Sequence, residues 1–385
     1  MKIRQVKARY LIMASVLFAL IISFILWIIM PRTPLQIVVL NKTFPVVTSA
    51  DGKTITELDY GKQRGLFWIM DHLGIKNPTT DRAYDVVEDY YGNFLSNGKL
   101  INKPLNKLTN VPDLIYLSDT YGTGNSKVNG VEPKNISGLT EDEVGLIASC
   151  YAKGTTVIGE YNISGDPTKA NVSKELENIF GVGFTGWVGK FFSDLASEND
   201  VPNWIRMTYE QQYGKKWGMT GAGILIAGNN RIIILQRGKD FAGQSINLSM
   251  SADNTKAFNT GTIDYYNWFE IIKPVDDKSV IAWYDLNLTA IGQDQMKLFG
   301  LNSRFPAIIA NKSDAKTSYY FAGDFCDYRE SAKIYSFLGA AALYRIFSVK
   351  SEGDNSHFYW DFYVPFMSKV IKDVKPLAKN VTFSQ

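Results

Sequence analysis

Asp113-Leu114-Ile115-Tyr116-Leu117, closing in Ser118-Asp119-Thr120-Tyr121-Gly122, is the stretch on which the fold turns. Its unbroken apolar run is too short for a helix and ends in turn-forming residues. That pattern marks a strand covered on both faces, the kind found inside parallel sheets. Upstream, Leu35–Leu40 (LQIVVL) has the same character. Between the two, apolar residues at 66, 69, 70 and 73 within Gly65–Gly74 make a helical face. Downstream, Thr140-Glu141-Asp142-Glu143 is a capping box opening a helix that runs to Lys153-Gly154. Thr155–Glu160 (TTVIGE) is a third strand, and Asn171–Phe180 another amphipathic helix. Strands alternating with helical crossovers from 35 to about 200 imply parallel pairing in a layered α/β domain.

From Gly218 the pattern changes. GAGILIAG, the turn Gly228-Asn229-Asn230 and RIIILQ read as a hairpin, and VIAWYDL at 280–286 as a further strand. FPAIIA at 305–310 and SYYFAGD at 318–324 read as a strand pair, followed by a helix over about 329–347. The expected architecture is therefore an α/β, three-layer domain with a mostly parallel sheet. Its first part is 31–217, a β-rich insertion occupies 218–300, and 301–385 closes the domain.

Before the domain, Leu11–Met30 is a run without charge or proline. At about 1.5 Å per residue, it is long enough to cross a hydrocarbon core of about 30 Å. Lys2, Arg4, Lys7 and Arg9 precede it. The positive-inside rule then leaves residues 1–10 as a cytoplasmic tail and the bulk of the chain outside the cell membrane. A cleaved signal peptide would have a shorter apolar core and a small-residue cleavage site, where this chain has Pro31-Arg32-Thr33-Pro34.

The net charge of +3 comes from that tail. Beyond it, 37 basic residues face 38 acidic ones, which gives no general attraction for phosphate backbones and sets nucleic acid aside. Two cysteines, Cys150 and Cys326, make no disulfide framework, and two histidines are too few for a His-based metal centre. The Gly-rich string 218–223 precedes a strand and lacks a GK[ST] ending, so no phosphate loop and no cofactor are expected.

Three features resemble the class I glutamine amidotransferase-like superfamily: the succession ending in DLIYLSDTYG, the strand and turn TTVIGEYN, and the late pair FPAIIA…SYYFAGDF. The middle stretch, from Glu160-Tyr161-Asn162 to Lys190-Phe191-Phe192, is also similar to membrane-anchored bacterial proteins associated with exopolysaccharide gene clusters. The resemblance implies a domain of that family working in cell-envelope polysaccharide assembly. The chain departs from the family where the chemistry would be. Glu160, not a cysteine, follows the central strand, and no His-x-Glu pair occurs. Glutamine hydrolysis by a Cys–His pair is not expected.

In open α/β sheets ligands bind beyond the carboxyl ends of the strands. Asp119, Glu160 and Asp324 each stand at such an end and are the candidate catalytic residues. Paired carboxylates can serve as general acid and base, and each can also simply cap a turn. Tyr121, Asn162, Trp187, Lys190 and Asp327 are the candidate ligand-binding residues. Trp187 lies between glycines in Phe184–Lys190, where a ring could stack on a sugar. Tyr265–Phe269 and Phe358–Tyr363 are aromatic clusters that read as core first, and as carbohydrate platforms or contacts with the membrane interface second.

Three functions follow. One is a non-catalytic module binding a glycan or an envelope-assembly protein. Another is a carboxylate-based hydrolase or lyase acting on envelope carbohydrate. The third is a purely structural interaction domain with no ligand. Acids converging on one crevice unpaired by Arg or Lys would favour the second, and acids that each cap a backbone turn would favour the first and the third.

Overall fold

The computed structural model describes residues 2–49, 55–122, 137–313, 315–328, 335–348 and 350–377, with side chains from Tyr10 onward. Its centre is a ten-stranded sheet. Five strands run parallel in the order Tyr91–Ser96, Ile37–Asn41, Leu114–Asp119, Thr156–Gly159, Thr317–Phe321. Lys99–Lys103 adds an antiparallel edge on one side. Arg304–Lys312, Val280–Asp285, Ile246–Met250 and Ile263–Tyr265 continue the other side, all antiparallel. The sheet is thus mixed, with the expected parallel strands at its middle. Leu114–Leu117 and Ile37–Leu40 are buried throughout, as their unbroken apolar character requires.

Strand alternation shows how the faces are covered. Tyr319 and Phe321 point to Phe366 of the helix Val364–Asp373. Tyr320 and Ser318 point the other way, to Phe180 and the carbonyl of Ile179 in the helix Ala170–Phe180. In Leu114–Asp119, Tyr116 meets Tyr363 through their hydroxyls at 2.8 Å, and Ser118 donates to the carbonyl of Lys62. The helix Gly61–His72 therefore shares a face with Val364–Asp373. The helix Glu141–Ala152 carries both bonds of its capping box, Glu143 N to Thr140 Oγ1 at 3.2 Å and Thr140 N to Glu143 Oε2 at 2.9 Å. Helices on both faces of one sheet make three layers.

A second, four-stranded antiparallel sheet has the order Arg231–Gln236, Gly223–Gly228, Val182–Phe192, Phe269–Pro274. Its hairpin turns through Asn229 and Asn230, both with positive φ, as a two-residue turn between right-twisted strands demands. Stretch 218–300 supplies strands to both sheets. The first half of the domain also holds a hairpin, Tyr91–Ser96 with Lys99–Lys103, that the simple strand–helix alternation did not anticipate. Of the helix expected over about 329–347, Ala340–Phe347 is helical, and 329–334 lie outside the described residues.

At the N-terminus Lys2–Ile29 is one helix, and Tyr10–Ile29 is long and apolar enough to cross a membrane.

Candidate functional site

The order of the parallel strands reverses between Ile37–Asn41 and Leu114–Asp119, and Asp119 stands at the carboxyl end of that switch point. Beyond the neighbouring strands stand Glu160 and Asp324. Two of the three expected acids, Asp119 and Asp324, converge around a partner that the reading of the sequence missed, while Glu160 is held apart by the Phe325–Cys326 backbone. Lys62, in the first turn of Gly61–His72, places Nζ 2.7 Å from Asp324 Oδ2, 3.5 Å from Asp327 Oδ2 and 3.9 Å from Asp119 Oδ2. All four side chains are largely buried. The ammonium fills the place among the carboxylates that a hard cation would need.

Gly65 is what lets this helix approach. A Cβ there would come within 2.6 Å of the Cys326 carbonyl oxygen and 2.7 Å of the Tyr359 ring. Lysine in the first turn of a helix opposes the helix dipole. That misplacement is the signal in the sequence that could have pointed to an engaged Lys62.

Glu160 is buried and fully occupied. Its Oε1 accepts the backbone N–H groups of Phe325 and Cys326 at 2.7 and 2.8 Å, and Cys326 Sγ lies 3.0 Å from Oε2. Cys326 Sγ also sits 2.8 Å from the carbonyl of Lys62. Glu160 thus ties the Asp324–Asp327 loop to the strand end. Asp119 Oδ1 accepts from Thr43 Oγ1 at 2.7 Å and from the Tyr121 N–H at 2.9 Å. Both cysteines are free and buried.

Crowding sets the protonation of the cluster. Burial lifts Glu160 to about 8, with the charge on Asp324 adding to the rise against the Cys326 and Phe325 donors. Burial lifts Asp324 to about 7, and Asp327 and Asp119 add to it, because one lysine cannot neutralise three carboxylates. Burial also raises Asp119 against the pull of Lys62. Lys62 itself loses by burial but gains more from Asp324, Asp327 and Asp119, and it stays charged. Glu270, from the second sheet, is lifted by burial to about 7; it accepts from the Tyr320 hydroxyl and, at 3.1 Å, from the Asn162 N–H.

The expected ligand-binding residues separate. Trp187 does not wall the crevice from a turn. It lies within the strand Val182–Phe192, just past a bulge, and packs edge-on against Phe299 at 5.7 Å. Three positions on, Lys190 projects from the opposite strand face, over the rings of Phe192 and Trp268 at 5.4 and 5.7 Å. Asn162 holds a left-handed turn, and its N–H serves Glu270. Tyr121 is 41% exposed, with its backbone on Asp119.

Lys190 and Asp327 do line one cavity, of about 400 Å³, bounded also by Tyr266, Asn267, Trp268, Tyr328 and the turn 353–356. Asn267 Nδ2 donates to Asp327 Oδ2 at 3.2 Å and, more loosely, to the Asp324 carbonyl at 3.5 Å, which joins the cavity to the acid cluster. The aromatic run Tyr265–Phe269 is divided between roles: Tyr265 and Phe269 are fully buried, while Tyr266 and Trp268 reach the cavity. The run Phe358–Tyr363 is core, with Trp360 packed among Trp68, Tyr344 and Tyr328. Larger hollows of about 660 and 1020 Å³ lie elsewhere and do not touch the acids.

No family model matches the chain, and no curated protein matches its sequence. Among solved structures, a cytoplasmic protein of Salmonella typhimurium LT2 aligns with TM-score 0.39 and 10% identity over 89% of this chain and all of that one. A carbohydrate deacetylase aligns with TM-score 0.31 and 11% identity, over 76% of this chain and 30% of its own. A cold-adapted β-galactosidase of Rahnella sp. R3 aligns with TM-score 0.29 and 12% identity, over 69% of this chain and 23% of its own. This chain therefore spans under a third of each of those two enzymes. Likeness at that level does not extend to activity.

Proposed function

We propose that this chain is a membrane-anchored, extracytoplasmic module with an amidotransferase-like α/β domain that lacks the family's Cys–His machinery. In this reading it binds a neutral glycan, or a glycan-bearing partner, in cell-envelope polysaccharide assembly. The supporting observation is the pairing at the strand ends. Lys62 engages the aspartates, and Glu160 spends its oxygens on backbone N–H groups and a thiol. A glycoside hydrolase needs a carboxyl group free to give a proton to the leaving oxygen and a second, ionised one to take a proton from the attacking water or to attack the anomeric carbon itself. These carboxylates instead build a wall.

The cavity beside that wall suits a polyhydroxyl ligand. Trp268 and Tyr266 offer aromatic surface, and Asn267, Asp327, Asn355 and Ser356 offer polar edges. The test is a glycan-array screen of the full chain in detergent, repeated with Trp268→Ala. Binding to neutral glycans that Trp268→Ala abolishes supports the reading. Release of new reducing ends from a bound glycan would sink it in favour of the hydrolase. Topology is tested separately: alkaline phosphatase fused to the C-terminus is expected to be active, and an inactive fusion would place the domain in the cytoplasm.

A further inference from the structure

The N-terminal helix is clamped to the domain. It runs into Thr33–Pro34, which pairs with Ile75–Lys76. Arg32 bridges to Asp71 at 3.2 Å, and its guanidinium lies 5.4 Å from the centre of the Trp27 ring. Deeper along the helix, the Ser23 hydroxyl donates to the backbone carbonyl of Leu338. Ser23 precedes the end of the apolar span at Ile29 by six residues. At 1.5 Å per residue, the Leu338 segment thus lies about 9 Å inside the end of that span.

The surface there is apolar. Leu338 is 41% exposed, Ile346 76% and Phe347 71%. The last two end the helix Ala340–Phe347, whose Ala340 is buried and whose Arg345 turns back to Asp361 at 2.6 Å. Asp361 pairs the charge of Arg345, and the exposed end of the helix presents large apolar side chains.

We infer that Ala340–Phe347 and the turn before it lie in the bilayer leaflet next to the domain, with Ile346 and Phe347 at the acyl boundary. The domain is then held in one orientation on the membrane and does not swing on its anchor. This rests on Tyr10–Ile29 crossing the membrane. Lipid is the occupant, because the segment starts at Leu338, which Ser23 contacts from a helix surface that must itself face lipid: Phe18 is 65% and Ile25 50% exposed. The depth agrees with the roughly 5–10 Å by which interfacial amphipathic helices sink. A backbone carbonyl at such depth needs a donor from the protein, and Ser23 provides it for Leu338.

The test uses the full chain in phosphatidylcholine–phosphatidylglycerol vesicles. Phe347→Cys, Phe18→Cys and Leu298→Cys are made singly and labelled with a fluorophore; the native thiols are buried. Leu298, 83% exposed, is the water-facing control. Nitroxide-bearing lipids are expected to quench the labels at 18 and 347, each most strongly with the nitroxide at its own depth, while aqueous iodide quenches only the label at 298. If lipid quenches position 18 but iodide reaches 347, the inference fails and the anchor stands. If neither quencher reaches 347, a second copy or a protein partner covers the face, and the inference also fails. If lipid does not reach position 18, the anchor itself falls and the inference with it.

Discussion

Lys62 Nζ and Asp324 Oδ2 stand 2.7 Å apart, although 262 positions separate them in the chain. One residue opens a helix and the other follows the last strand of the parallel core. Their meeting, with Asp327 and Asp119 around the same ammonium, turns the carboxyl edge of the sheet from a set of free acids into a closed electrostatic unit.

Removing the cation leaves several buried carboxylates without compensation. Lys62→Met is expected to cost about 3–5 kcal/mol, the range for breaking a buried ion pair from one side. The cost should be greatest at alkaline pH and shrink in acid, where the aspartates take up protons. Urea unfolding of wild type and variant at pH 5 and pH 8.5 checks both size and direction. A loss that does not depend on pH would mean that Lys62 contributes by packing alone.

Glu160, Asp324 and Glu270 have folded-state pKa values of about 8, 7 and 7, all above their ordinary range. The folded chain therefore keeps protons that the unfolded chain has released. Their stabilising contribution is full below the unfolded values, near pH 4, and declines as pH rises through 7 to 8. Thermal midpoints are expected to fall across that window. Glu160→Gln retains an oxygen for the Phe325 and Cys326 N–H groups, so it should fold and show a flatter decline. A variant with the same slope as wild type would show that Glu160 titrates normally.

Trp187 and Trp268 should behave differently. Trp187 is 7% exposed and packed against Phe299, so Trp187→Ala is expected to lower stability by about 3–5 kcal/mol, as for other buried aromatics. Trp268 borders the cavity and is only partly buried, so Trp268→Ala should cost less stability and remove glycan binding. Chemical unfolding and a binding titration on the same two variants decide the matter. The reverse outcome would return the site to the Phe184–Lys190 string.

Lys42 and Glu143 form a second buried pair, 2.7 Å apart, with Lys42 also donating to the Gly138 carbonyl at 2.7 Å. Lys42→Met alone should cost several kcal/mol, about what breaking a buried pair from one side costs. Lys42→Met with Glu143→Leu should cost less than the sum of the two single changes, because neither charge is then stranded. The double-mutant cycle in urea measures the difference; additive losses would show that the pair does not interact energetically.

Much of the fold is legible in the chain because it rests on local pattern. Four apolar residues at 114–117 can only be satisfied inside a sheet, and Thr140 with Glu143 can close a helix start with no help from elsewhere. The same holds for the apolar run before Pro31, whose length and lack of charge set its character. The sequence likewise determined which strand ends carry acids, since Asp119, Glu160 and Asp324 each follow directly on an apolar run. What those acids do was decided only in three dimensions. Lys62 belongs to another element, and no spacing links 62 to 119, 324 or 327. The faces of Val182–Phe192 were also hidden, because its glycines read as a turn until pairing on both sides made it a strand. Strand alternation then sent Trp187 to the core and Lys190 to the cavity. Local periodicity acts over a few residues, whereas charge compensation and the sharing of a cavity wall depend on which surfaces the folded chain brings within a few ångströms.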